Sequence, residues 1–118
     1  MAKFMTLLVE DDVLQREVLA DVLKDDGFEV VECSTAEAAE LIVATSGTEL
    51  RAVITDENLD GEMLGSNLAA YARRKFPELN IVLMSGGRQP PVPPGARFLQ
   101  KPFRPSKLLE MVRANDNG

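Results

Sequence analysis

Apolar residues are set along this chain in two alternating rhythms. Phe4 to Val9, Ala52 to Ile54 and Ile81 to Met84 are short unbroken apolar or β-branched runs, the pattern of strands buried on both faces. Between them apolar positions recur at intervals of three and four, the period of an amphipathic helix. The first run stops at Glu10-Asp11-Asp12, where Asp12 predicts a helix N-cap with Gln15 as its capping-box partner. Leu14, Val18 and Val22, with Leu19 and Leu23 on the adjoining row, predict an inward stripe that ends at Gly27. Phe28 to Glu32 alternates like a strand near a sheet edge. Ser34 with Glu37 predicts a second capping box, opening a helix that packs Ala36, Ala39, Ile42 and Val43. Leu64, Leu68, Ala72 and Phe76 share a third helical face, which Pro77 ends. Arg97 to Gln100 reads as a fifth strand, and Pro105 suits the first turn of a last helix facing Leu108, Leu109 and Val112 inward. Asn115 to Gly118 reads as a frayed end.

Strands alternating with helices imply an α/β protein, a parallel sheet between two helical layers. One interval breaks the rhythm. Four prolines between Arg88 and Gly95 exclude a normal helix there, so the fourth helix is expected to be shortened or replaced by a proline-rich loop. The 118 residues, 45% of them hydrophobic, suit one domain spanning 1–118, with no output domain expected. A lone Cys33 has no internal disulfide partner, which points to a reducing cytoplasm and a buried structural thiol. A net charge of −6 repels a polyphosphate backbone and argues against nucleic acid. The first apolar run is too short for a signal peptide or a membrane span. The absence of histidine excludes Ser–His catalysis, imidazole zinc sites and a phosphohistidine donor on this chain.

Asp11, Asp12, Asp56, Ser85 and Lys101 all fall at the carboxyl ends of these strands, the edge where ligands bind in open α/β sheets. Each has an ordinary role taken singly: Asp12 as a cap, Ser85 as a turn residue, Lys101 and Asp11 as solvated charges. Taken together they make a chemical unit. Crowded carboxylates repel one another. Mg²⁺ relieves that repulsion and prefers one or two carboxylates plus waters and phosphate oxygens. Lys101 supplies a mobile positive charge. A deprotonated Asp56 then suits a nucleophile on a phosphoryl group, with metal and lysine stabilising the equatorial oxygens of the transition state.

These pieces carry a family resemblance. Val9-Glu10-Asp11-Asp12, the apolar strand into Asp56, Ser85-Gly86 after Ile81-Val82-Leu83-Met84, and Phe98-Leu99-Gln100-Lys101-Pro102-Phe103 resemble the receiver domains of two-component response regulators. They occur in the family's order over nearly the whole chain. The resemblance implies a flavodoxin-like (receiver-type) three-layer sandwich, five parallel strands in the order 2-1-3-4-5. It implies Asp56 as phosphoacceptor, and Mg²⁺ held by Asp11, Asp12, Asp56 and the backbone carbonyl of Asn58. Ser85 is the hydroxyl that moves to the phosphoryl group, Lys101 its charge partner, Phe98 the aromatic switch, and Lys101-Pro102 a cis peptide. A sensor histidine kinase or histidine phosphotransfer protein is the expected donor. The output expected is protein binding or phosphate relay in the cytoplasm, without turnover catalysis. Two departures stand out. Leu59-Asp60-Gly61 replaces the usual apolar–proline pair, and the next glycine is displaced to Gly65.

Three rivals differ in chemistry. Asp56-x-Asn58-x-Asp60-Gly61 matches half of an EF-hand calcium loop, but position twelve is Asn67 rather than a bidentate Glu and the preceding residues read as strand. An aspartyl-phosphate hydrolase of the haloacid dehalogenase type would need Asp-x-Asp-x-Thr at the nucleophile, which Asn58 and Asp60 do not supply. A pseudo-receiver binding module typically lacks one of the acidic set, Ser85 or Lys101, and here all are present.

Overall fold

Successive residues of a strand point to opposite faces, and the computed structural model, which describes residues 5–113, shows both faces filled. The element order is β1 (Met5–Val9), α1 (Val13–Asp25), β2 (Glu29–Cys33), α2 (Ala36–Ser46), a 3₁₀ turn (Gly47–Glu49), β3 (Leu50–Asp56), α3 (Gly65–Lys75), β4 (Asn80–Ser85), β5 (Arg97–Gln100) and α4 (Pro105–Arg113). The five strands are parallel in the order β2-β1-β3-β4-β5. Phe4 and Asn115 to Gly118 lie outside the described residues.

Leu7, Val9, Val53 and Ile81 face one helical layer, where Ala36, Ala39 and Val43 of α2 meet Leu68, Ala69 and Ala72 of α3. Four alanines in that contact let the two helices lie close to the sheet. Leu8, Ala52, Ile54, Val82, Met84 and Leu99 face the other layer, packed by Leu19, Ala20 and Leu23 of α1 and by Leu108 and Val112 of α4. β3 and β4 are thus covered on both sides, which is why they read as unbroken apolar runs.

Several local expectations change. Along α1 the buried row is Leu19, Ala20 and Leu23. Leu14 and Val18 are 71% and 56% exposed, because the apolar stripe is wider than the sheet contact and its outer row lines an open groove. α2 is capped by Thr35, whose Oγ1 accepts the Ala38 N–H at 3.1 Å, so Ser34 is not the cap and Glu37 is not its reciprocal partner. Between β4 and β5, residues 86–96 form no helix, as the prolines require. Asn80 Nδ2 secures the end of α4 by donating to the carbonyls of Met111 and Val112 at 3.0 and 2.8 Å.

Parallel pairing brings the strands out of the sheet in step. Val9 is level with Thr55, Asp56 with Met84, and Ser85 with Gln100. The residue after β1, the last residues of β3 and β4, and the residue after β5 therefore emerge side by side. The strand order reverses between β1 and β3, and the crevice at that switch point is where α/β sheets hold ligands.

Candidate functional site

Glu10, Asp11 and Asp56 meet in this crevice, each offering a carboxylate oxygen within 4.8 Å of the others'. Glu10 immediately follows the last residue of β1, so the register sets it beside Asp56. Its side chain is 1% exposed. Glu10 Oε2 accepts the Asp12 N–H at 3.2 Å, and its backbone carbonyl accepts from Arg16 at 2.8 Å. Burial pushes the Glu10 carboxyl above its ordinary range, against the pull of Lys101. Burial likewise raises Asp56, opposed by Lys101 and assisted by the negative charge of Asp11.

Lys101 is the counter-charge. Its Nζ donates to Glu10 Oε1 at 3.0 Å and to Gln15 Oε1 at 2.9 Å, and lies 3.3 Å from Asp56 Oδ1. Burial alone would lower its pKa, but Glu10 and Asp56 together outweigh that and raise it. Ser85, 2% exposed, sits at the end of β4, where its Oγ accepts the Gly87 N–H at 3.2 Å and its carbonyl accepts the Lys101 N–H at 2.9 Å. The Lys101-Pro102 peptide is cis. Phe98 is half-buried on β5, level with Leu83 of β4. Asn58 lies exposed in the loop two residues beyond β3.

Asp12 stands apart from the acidic group. It is exposed, and its Oδ1 accepts the Gln15 N–H at 2.9 Å as the N-cap of α1; the group's third carboxylate is Glu10. Position in the strand was the available signal, since Glu10 directly follows the last apolar residue of β1. Gln15, expected only as a capping partner of Asp12, joins the site by accepting from Lys101, and Glu57 follows the last residue of β3. Glu57, 8% exposed, turns away from the crevice and accepts from Ser66 N and Oγ at 2.7 and 3.0 Å, holding the start of α3. Gly65 is required there: a Cβ would lie 2.0 Å from the Asp56 carbonyl oxygen.

The calcium-loop alternative does not fit this geometry. Asp56 ends a strand, and Asn67 lies inside α3 with its Oδ1 accepting the Leu64 N–H at 2.9 Å. Cys33 is half-buried rather than fully buried, and burial pushes its thiol up to about 11, which favours the protonated form at neutral pH. Beside the crevice, Leu14, Val18, Leu19 and Val22 of α1 face Pro102, Phe103 and Pro105 across an apolar groove of about 800 Å³, with Gln15 and Lys101 also in its lining. Among the described residues, no helix is long and apolar enough to cross a membrane.

A cluster of carboxylates with a lysine at the carboxyl edge of a 2-1-3-4-5 sheet is an arrangement of an α/β protein whose charges suit a cation beside an anionic group. The family model for the response regulator receiver domain matches residues 6–113, and the chain belongs to that family, the receivers of two-component phosphorelays. It is 38% identical to the response regulator protein FleR of Pseudomonas aeruginosa over 95% of this chain and 24% of that protein. The chain thus spans about a quarter of the length of the curated relatives it matches. Among solved structures it resembles a response regulator receiver protein from Sinorhizobium medicae (28% identity, TM-score 0.88, 97% of this chain and 94% of that one). It also resembles the receiver domain of the hybrid histidine kinase CckA (30% identity, TM-score 0.80, 94% and 97%).

Proposed function

We propose that Asp56 is the phosphoacceptor of this receiver and that its donor is the phosphohistidine of a histidine kinase or phosphotransfer protein. The supporting observation is the convergence of Glu10, Asp11 and Asp56 on one point, with Lys101 Nζ 3.3 Å from Asp56 Oδ1. An Asp56 carboxylate oxygen attacks phosphorus and forms a P–O bond. The P–N bond to the donor imidazole breaks, and the leaving nitrogen keeps the electron pair. Lys101 neutralises charge gathering on the transferred oxygens, and a bound cation would relieve the repulsion that the neighbouring carboxylates impose on the ionised acceptor.

The donor set suits Mg²⁺: hard oxygen ligands, excess negative charge, and partial exposure that leaves room for water. Glu10, Asp11 and Asp56 would hold it by carboxylate oxygens, with the carbonyl of Asn58. Once bound, it would supply a positive charge shared between the acceptor and the phosphoryl oxygens. Ser85 and Lys101 then move toward the new dianion, and Phe98 and the proline-rich loop change population with them.

The apolar groove along α1 suits the donor protein, because Gln15 and Lys101 line both the groove and the crevice. A partner seated on Leu14 and Val18 would present its phosphohistidine to Asp56. A self-limited transfer in the cytoplasm, without turnover, fits this reading. Borohydride reduction of the phosphorylated chain followed by peptide mapping tests the assignment. Reduction at Asp56 supports it, and reduction at any other carboxylate refutes it.

A further inference from the structure

The loop from β3 to α3 begins at the acceptor and carries Asn58, yet residues 57–64 contain no proline to stiffen it. Its restraint comes from α2. Gly61, at φ +95°, turns the chain so that two successive N–H groups face one way. The Glu62 and Met63 N–H groups both donate to the same oxygen, Glu37 Oε2, at 3.0 and 3.1 Å. A parallel bridge between Thr35 and Asp60 lays the loop against the same helix start. A Cβ on Gly61 would sit 2.8 Å from Glu37 Oε1, so turn and carboxylate fit one another closely. At its other end the loop is fixed by Glu57 on Ser66. Asn58 is hung between these two carboxylate anchors.

We propose that Glu37 is a positioning residue for the cation site: it accepts the Glu62 and Met63 N–H groups, fixes the turn that presents the Asn58 carbonyl, and so ties the start of α2 to metal affinity. The inference rests on the phosphoacceptor reading above. Without this acceptor the two donors turn to water, and the exposed turn samples other shapes. A carbonyl ligand carried on it is then correctly placed for only part of the time, and affinity falls by that fraction.

Glu37→Ala and Glu37→Gln separate this role from a simple change of charge. Both remove one negative charge near an acidic site, but the Gln amide oxygen still accepts both N–H groups. Amide hydrogen exchange at Glu62 and Met63 reads the turn. A Mg²⁺ titration followed by calorimetry, and the Mg²⁺ dependence of labelling by acetyl phosphate, read the site. Glu37→Ala is expected to speed exchange at both amides and weaken Mg²⁺ binding roughly tenfold, the lower end for loss of an outer hydrogen bond at a metal site. Glu37→Gln is expected to stay near wild type in both. Unchanged exchange and affinity in Glu37→Ala, or equal losses in the two variants, would overturn the proposal. A wild type that takes no label but binds Mg²⁺ defeats the phosphoacceptor reading instead, and exchange and calorimetry still decide the role of Glu37.

Discussion

Lys101 Nζ stands 3.0 Å from Glu10 Oε1, and that carboxylate is 1% exposed. A buried carboxylate without its partner is an uncompensated charge. Lys101→Ala is expected to destabilise the metal-free protein by about 3 kcal/mol in urea unfolding, the lower end for breaking a buried pair because the lysine is one-fifth exposed. Saturating Mg²⁺ should recover part of the loss, because the ion replaces the missing positive charge. Loss of stability with no recovery would mean the lysine acts mainly through packing.

Asp56→Asn tests the repulsion within the cluster. Burial and Asp11 raise the Asp56 pKa, so the folded state holds a proton that the unfolded state releases. Between its unfolded value near 3.8 and its raised folded value, stability falls as pH rises. At neutral pH the ionised carboxylate therefore works against folding. Asp56→Asn is expected to stabilise the metal-free protein at pH 7, and the gain should vanish below the unfolded value. Thermal melts across pH check both parts.

Glu37 carries the opposite sign. Its own N–H and those of Met63 and Glu62 hold its carboxyl below the ordinary 4.5. Its contribution is thus present above that value and is lost as pH falls through the lowered one. Amide exchange at Met63 should stay slow at pH 6 and, once corrected for its intrinsic pH dependence, accelerate only on strong acidification.

Gly65→Ala is expected to cost about 1–3 kcal/mol, the range for forcing extra volume into a packed position. Its Cβ would collide with the Asp56 carbonyl oxygen at 2.0 Å, and the peptide that must yield carries the acceptor. Labelling by acetyl phosphate should fall with stability. Equal stability and labelling would contradict the close approach.

The sheet was legible in the sequence because its central strands are covered on both faces: Val53 and Ile54, or Ile81 and Val82, alternate between two cores and leave an unbroken apolar run. The edge of the site was legible for the same reason, since each run delivers its next residue to one rim. Asp12 against Glu10 was legible only by position. Three adjacent acids look alike in kind, and what marks Glu10 is that it follows the last apolar residue of β1, which the register beside Asp56 and the geometry of the α1 cap then make plain. The α1 stripe failed differently. Leu14 and Val18 have the right period, but periodicity reports an apolar face without saying whether the sheet or a groove receives it. Glu37 reads in the sequence only as a capping partner for Ser34, and Glu57 not at all, because both act mainly on backbone N–H groups that no residue type marks.

Incubation of the purified chain with acetyl phosphate and Mg²⁺, followed by intact mass, addresses the central claim most directly. The wild type should gain the mass of one phosphoryl group, lose it slowly, and gain none when EDTA removes the metal. Asp56→Asn should gain none under any of these conditions. A variant labelled as fully as the wild type, or a wild type labelled equally well in EDTA, would contradict an aspartyl acceptor served by a carboxylate-held cation.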